Sequence, residues 1–174
     1  SSCRGASSMS SSDRRHFLLG LAALPLAACG FSPAYGPNGA ADAMRGRIKL
    51  RDPTSRIEFD FVSHVETRIG RAQAPAYDLA YGIAVSVTAS GITSSNAITR
   101  YTYKGVANWS LTDRASGSRV AGGTVRGFTS WSATGTTISG LAAQEDAARR
   151  LMVILGDQII TRLIAAAPKL SPSP

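Results

Sequence analysis

Apolar residues recur in two rhythms along this chain. From Arg47 to Arg51 they alternate, with Ile48 and Leu50 flanking Lys49, which predicts a short strand ended by Asp52-Pro53. Ile57, Phe61, Val65 and Ile69 then return every four residues. Val62 stands beside them, and Glu58, Asp60, Glu66 and Arg68 take the other faces. That is the stripe of an amphipathic helix, with Thr54 or Ser55 placed to cap its start and Gly70 to stop it.

The rhythm then shortens to two. Tyr77, Leu79, Tyr81, Ile83, Val85 and Val87 alternate with Asp78, Ala80, Gly82, Ala84, Ser86 and Thr88. A strand with one large apolar face and one small or polar face suits an antiparallel sheet covered on one side. Gly91 to Ala97 reads as a polar turn. The next strand puts Tyr101, Tyr103, Ala107, Trp109 and Leu111 on one face and Arg100, Thr102, Lys104, Asn108 and Ser110 on the other. Asp113 to Ser118 is a hairpin turn with Gly117 at positive φ. A third long strand runs from about Arg119 to Ser132, with Gly122-Gly123 marking a bulge or a close backbone approach. Its Phe128 and Trp131 fall on opposite faces, so one of them is expected at a contact surface rather than in the core.

Residues 139–166 return to helical spacing. Ala148, Leu151, Leu155, Ile159 and Leu163 form the buried stripe, thickened by Met152 and Ile160. Glu145 and Asp146 near its start and Arg162 and Lys169 near its end are expected to complement the helix dipole. The order β-α-β-β-β-α predicts an α+β two-layer sandwich: a mostly antiparallel sheet of about four strands, with two helices on one face.

The N-terminal pattern is of another kind. After Met9, the expected start, come basic and polar residues to Arg15, then the apolar stretch Phe17 to Leu26, then Ala27-Ala28-Cys29-Gly30. Residues 1–8 read as an upstream extension outside the fold. This layout is that of an export signal, residues 9–28. From Phe17 to Cys29 is 13 residues, against the roughly 20 that a membrane-spanning helix needs. A leucine three positions before a cysteine flanked by small residues is what a lipoprotein signal peptidase accepts. Cleavage between Ala28 and Cys29 would leave Cys29 as the acylated first residue of the mature chain. Arg14-Arg15 leaves both the general and the twin-arginine export routes open. Gly30, where aspartate acts as an inner-membrane retention signal, favours the outer membrane. Residues 29–46 then form the lipidated tether, 47–167 a single domain and 168–174 a flexible tail.

Composition narrows the chemistry. Removing the first 28 of 174 residues leaves 146, the usual size of one domain. It also removes three arginines and one aspartate, so the net charge of +8 becomes +6. Such a charge suits anionic headgroups, phosphorylated glycolipid or an acidic protein surface. Export argues against nucleic acid, and no polybasic run is present. With Cys3 outside the mature chain and Cys29 acylated, no cysteine is left for a disulfide, a metal or a nucleophile. His64 is the remaining histidine and reads as a surface or rim residue. Glu145-Asp146 are adjacent helical residues that do not face each other. Ser130 lacks a base partner, and Gly122-Gly123 is not followed by the lysine of a phosphate loop. No enzyme activity, metal or cofactor is expected.

The start Cys29-Gly30-Phe31-Ser32-Pro33-Ala34-Tyr35-Gly36, followed by this order of elements, resembles the LptE family of lipopolysaccharide-assembly lipoproteins in its alphaproteobacterial form. Arg100-Tyr101-Thr102-Tyr103, the Gly122-Gly123 strand and Ala143-x-Glu145-Asp146-Ala147 are further echoes. The resemblance implies a lipid-anchored protein on the periplasmic side of the outer membrane. It would sit as a plug inside the β-barrel LptD, help that barrel assemble, and help deliver lipopolysaccharide to the outer leaflet. The alternative is a lipoprotein that scaffolds another envelope or barrel-assembly complex without touching glycolipid. Relatives carry basic residues, proposed to touch lipopolysaccharide, between the second and third strands and before the last helix. Here 91–97 and 133–143 contain neither lysine nor arginine. Arg100, Lys104, Arg119 and Arg126 are the candidates instead, meeting lipid A phosphates through charge-assisted hydrogen bonds.

Overall fold

A computed structural model describes residues 39–92, 94, 98–133 and 137–167. The export segment, Ala28, Cys29 and the tail 168–174 lie outside the described residues, as do 93, 95–97 and 134–136 in the connecting turns. The elements are α1 (Ala40–Met44), β1 (Ile48–Leu50), α2 (Arg56–Ile69), β2 (Tyr77–Ile92), β3 (Ile98–Asp113), β4 (Arg119–Ser132) and α3 (Thr137–Ala166). The four strands form one sheet in the order β1-β2-β3-β4. β1 runs parallel to β2, because a helix carries the chain between them, and the other two pairings are antiparallel. This is the expected α+β arrangement. α1 is an addition: it falls in a Pro-, Gly- and Ala-rich stretch with no helical stripe, and its Met44 is buried in the core.

Local chemistry sets the helix limits. Ser55 caps α2, its side chain accepting from the Glu58 N–H at 3.3 Å. Such a cap contributes about 1 kcal/mol. Glu58 turns back and accepts from the Thr54 N–H (2.7 Å), the Thr54 hydroxyl (2.8 Å) and Arg51 (2.7 Å). These bonds, the Thr54 N–H foremost, hold its carboxyl below the ordinary value of 4.5. Gly70 ends the helix at φ 81°, a conformation that L side chains rarely adopt. Asp113 organises the β3–β4 hairpin by accepting from the Ala115 and Ser116 N–H groups, and Gly117 takes φ 66° there.

The core lies between the helices and one face of the sheet. Phe61, Val65 and Ile69 of α2 and Leu151, Leu155, Ile159 and Leu163 of α3 meet Leu79, Tyr81, Ala107, Trp109, Leu111 and Val125. Phe61 and Tyr81 rings sit 4.9 Å apart, and Trp131 lies against Tyr101 (5.2 Å) and Tyr103 (5.0 Å). The buried Thr129 hydroxyl donates to the Ala147 carbonyl at 2.8 Å, tying β4 to α3.

Three expectations change. The far end of the β2 apolar face is not covered: Val85 and Val87 are 40% and 47% exposed. The helices lie over β3, β4 and the near end of β2, and alternation cannot report where a covering layer stops. The β4 bulge falls at Val120, where Leu111 pairs with Ala121 but Thr112 with Arg119. Gly122-Gly123 instead lies in regular pairing, where the missing side chain at Gly122 makes room for the Arg119 guanidinium. The α3 dipole reading also fails, for the helix has no acidic residue in its first turn and no basic one in its last. Glu145 pairs with Arg56 and Asp146 with Arg150, while Lys169 lies outside the described residues.

Candidate functional site

The sheet face turned away from the helices carries the basic residues. On β3 it presents Arg100, Thr102, Lys104, Val106 and Asn108, and on β4 Thr124, Arg126, Phe128 and Ser130. Register fixes their neighbours: Thr102 opposes Ser130, Lys104 opposes Phe128, and Val106 opposes Arg126. Lys104 and Arg126 are diagonal neighbours, roughly 7–8 Å apart at the backbone. Thr102, Lys104, Val106, Arg126 and Phe128, with the backbone of Gly105 and Gly127, line a shallow groove of about 560 Å³. Its apolar parts are Val106 and Phe128, the latter 70% exposed.

The backbone beneath the groove is held from the opposite side. Gly105 and Gly127 are paired, and both turn toward α3. A Cβ on Gly105 would stand 2.9 Å from Leu151 Cδ2, and one on Gly127 would stand 2.9 Å from Ile154 Cγ2. The absence of both side chains lets the helix press directly on the strands. The groove floor is therefore a rigid two-strand segment rather than a loop.

Electrostatics favour an anion. Among the described residues, no ion pair engages Arg100, Lys104 or Arg126. Beyond Asp78, which is paired with Arg114 at 3.2 Å, the described residues of this face include no carboxylate. A phosphate placed between Lys104 and Arg126 would meet two unengaged donors, and Phe128 and Val106 offer apolar surface beside it.

The four candidate cations do not act as one cluster. Lys104 and Arg126 share the groove. Arg100, opposite Ser132, lies four residues along β3, roughly 13 Å from Lys104. Arg119 is seven residues from Arg126, roughly 20 Å away. It lies over Gly122 beside Ala80 and Ser110, its Nε donating to the Ala121 carbonyl at 3.4 Å. Sequence reasoning left Val106 and Thr102 out of the site. The signal for Val106 was present, as an apolar residue in phase with Lys104. Phe128 takes the contact position and Trp131 is buried.

Of the residues weighed for catalysis, His64 lies away from this face, whereas Ser130 lies on it, opposite Thr102. His64 Nε2 lies 2.9 Å from Asp157 Oδ1, linking α2 to α3 on the far side of the sheet from the groove. Ser130 Oγ pairs with Thr102 Oγ1 at 3.2 Å. Among the described residues, no three His, Cys, Asp or Glu side chains lie together as metal ligands would.

No curated protein matches the chain by sequence. Among solved structures, a protein described as a lipoprotein from Caulobacter crescentus CB15 is 19% identical. It superposes with a TM-score of 0.61, over 78% of this chain and 100% of that one. Rare lipoprotein B from Shewanella oneidensis is 8% identical, with a TM-score of 0.55, over 71% and 96%. Lipoprotein B from Nitrosomonas europaea is 13% identical, with a TM-score of 0.56, over 78% and 91%. At these identities the likeness is one of fold. A family model described as lipopolysaccharide-assembly matches residues 46–163, nearly the whole described domain. The chain belongs to the LptE lipopolysaccharide-assembly family.

Proposed function

We propose that this protein is an outer-membrane lipoprotein, acylated at Cys29 after cleavage behind Ala28 and exposed to the periplasm. In this reading it plugs and helps assemble the LptD barrel and assists delivery of lipopolysaccharide to the outer leaflet. Family membership supports the assembly role. The observation that carries glycolipid contact is the groove in which Lys104 and Arg126 flank Phe128 and Val106. Lipopolysaccharide combines phosphates with acyl chains, and this groove combines unengaged cations with exposed apolar surface. Arg100 extends the basic strip toward one end, whereas Arg119 stands apart. The role proposed is binding and positioning, with no bond made or broken.

The test is a double variant, Lys104→Gln with Arg126→Gln, assayed for lipopolysaccharide binding at low salt. Charge-assisted hydrogen bonds contribute about 1.5–3 kcal/mol each, so affinity should fall at least roughly tenfold even with partial compensation. Unchanged affinity would remove the glycolipid claim. Pull-down from detergent-solubilised outer membranes tests the partner separately: recovery of LptD supports the plug, and recovery of a different envelope complex in its place refutes it.

A further inference from the structure

The two edges of the sheet are built differently. On the β4 side, α3 reaches over the edge. Arg150 donates to the Ser130 carbonyl (3.3 Å), Gln158 to that of Arg126 (2.9 Å) and Arg162 to that of Thr124 (2.6 Å). Residues 150, 154, 158 and 162 recur every four positions, so one row of the helix follows one strand edge. Carbonyls occupied in this way are poor templates for another strand.

On the β2 side, β1 covers only Tyr77 to Leu79. The Tyr77 N–H donates to the Arg47 carbonyl (3.1 Å), and the Leu79 carbonyl accepts from the Arg51 N–H (3.0 Å). Odd-numbered residues of β2 therefore turn their backbone groups to this side, and the alternation continues through Ile83, Val85 and Val87 to Ala89. Among the described residues, no strand pairs with β2 on this side beyond Leu79. The run 79–92 contains no charged residue and no proline. Charged residues and prolines are the usual devices by which an exposed edge is kept from pairing, and here they are lacking where cover is lacking too.

We propose that the β2 edge from Ile83 to Ala89 accepts an extended strand of a partner protein, one that alternates apolar and acidic residues. Backbone groups would supply the pairing and side chains the selection. On the helix side, an incoming strand meets Val85 and Val87, which favours apolar residues. On the other face, Lys104 lies opposite Ser86 and Arg100 opposite Gly91, which favours acidic ones. A second copy of this chain fits less well, since its own β2 brings no carboxylate to that face beyond Asp78. The segment 30–38 is also a poor occupant, with Pro33 and Pro37 lacking donors. Pairing along the edge does not depend on the glycolipid reading, whereas the acidic preference uses Lys104 and Arg100, which that reading also uses.

The test uses the full-length chain in detergent and a fluorescent octapeptide of alternating valine and glutamate. Saturable binding is expected, and a valine–lysine octapeptide should not bind. Val87→Pro removes an outward N–H while sparing the bonds to β3, and should weaken binding roughly fivefold or more. A valine–glutamate peptide N-methylated at alternate residues makes the same test with the protein unaltered, and should not bind. The proposal is overturned if the first peptide fails to bind, if the lysine or N-methylated peptide binds equally, or if sedimentation shows self-association that Val87→Pro abolishes.

Discussion

Gly105 is the position where the helix layer and the candidate groove share one stretch of backbone, and Gly105→Ala tests whether their spacing is set there. The added Cβ would lie 2.9 Å from Leu151 Cδ2, 3.2 Å from Leu151 Cγ and 3.1 Å from Leu155 Cδ1. Favourable carbon contacts lie near 3.5–4.0 Å, so something must move. Both leucines are fully buried, so neither can retreat into solvent. Forcing a methyl into a packed core costs about 1–3 kcal/mol. Reduced freedom of the unfolded chain offsets about 0.4–1 kcal/mol, because Gly105 has no positive φ to lose. The net expectation is a destabilisation of about 1–2 kcal/mol, or a fall in Tm of roughly 3–8 °C for a domain of this size. Urea unfolding, with thermal melts beside it, reads this directly. Leu151→Ala alone should cost about 2–5 kcal/mol. In the double variant the alanine methyl enters the vacated space, so the combined cost should fall short of the sum by about 1 kcal/mol. A Gly105→Ala protein as stable as the parent, or strictly additive effects in the double variant, would refute the close-approach argument.

Three further predictions concern Glu58, Arg119 and Cys29, the last resting on the sequence alone. Glu58 has its folded pKa depressed below 4.5, so the stability it contributes is fully present above 4.5 and is lost as pH falls from there through the lower folded value. The urea midpoint of the parent should drop more steeply over that window than that of Glu58→Gln, and parallel curves would count against the Thr54 and Arg51 bonds. Arg119→Gln should leave lipopolysaccharide affinity within about twofold of the parent, a change worth only about 0.4 kcal/mol; a loss equal to that of Lys104→Gln would mean the two distant cations act on one ligand. Cys29→Ser should move the protein out of the membrane fraction on cell fractionation, since acyl chains contribute about 0.8 kcal/mol per buried CH₂, and an unchanged membrane fraction would refute acylation as the anchor.

Much of this architecture was legible because local periodicity and burial agree. Ile57, Phe61, Val65 and Ile69 recur every four residues, and the last three are buried while Ile57 packs against the core. Tyr103, Ala107, Trp109 and Leu111 alternate and are buried. What escaped was where covering layers end. Val85 and Val87 continue the alternation of Leu79 and Tyr81 without a break, yet the helices do not reach them. Their hydrophobicity describes a strand face, and only the placement of α2 and α3 determines whether that face is wet. The candidate groove was half legible for a related reason. Lys104 and Arg126 could be assigned to strands, but their diagonal proximity depends on the β3–β4 register, which the bulge at Val120 shifts by one residue.

The two sheet edges show how the same polar residues can carry opposite meanings. Arg150, Gln158 and Arg162 look like an ordinary solvated helix face when the sequence is read alone. In the fold they occupy β4 carbonyls, so their spacing in multiples of four answers to the strand beside them rather than to water. Nothing within α3 reveals this, because the acceptors lie at least 20 residues away, on β4. Along β2 the converse holds. The absence of charge from 79 to 92 suggests burial, yet β1 contributes only three residues of cover. A neutral edge without cover is an aggregation hazard unless something pairs with it. The protection given to one edge, set against the bareness of the other, is the physical reason to treat β2 as a docking strand rather than a defect of the fold.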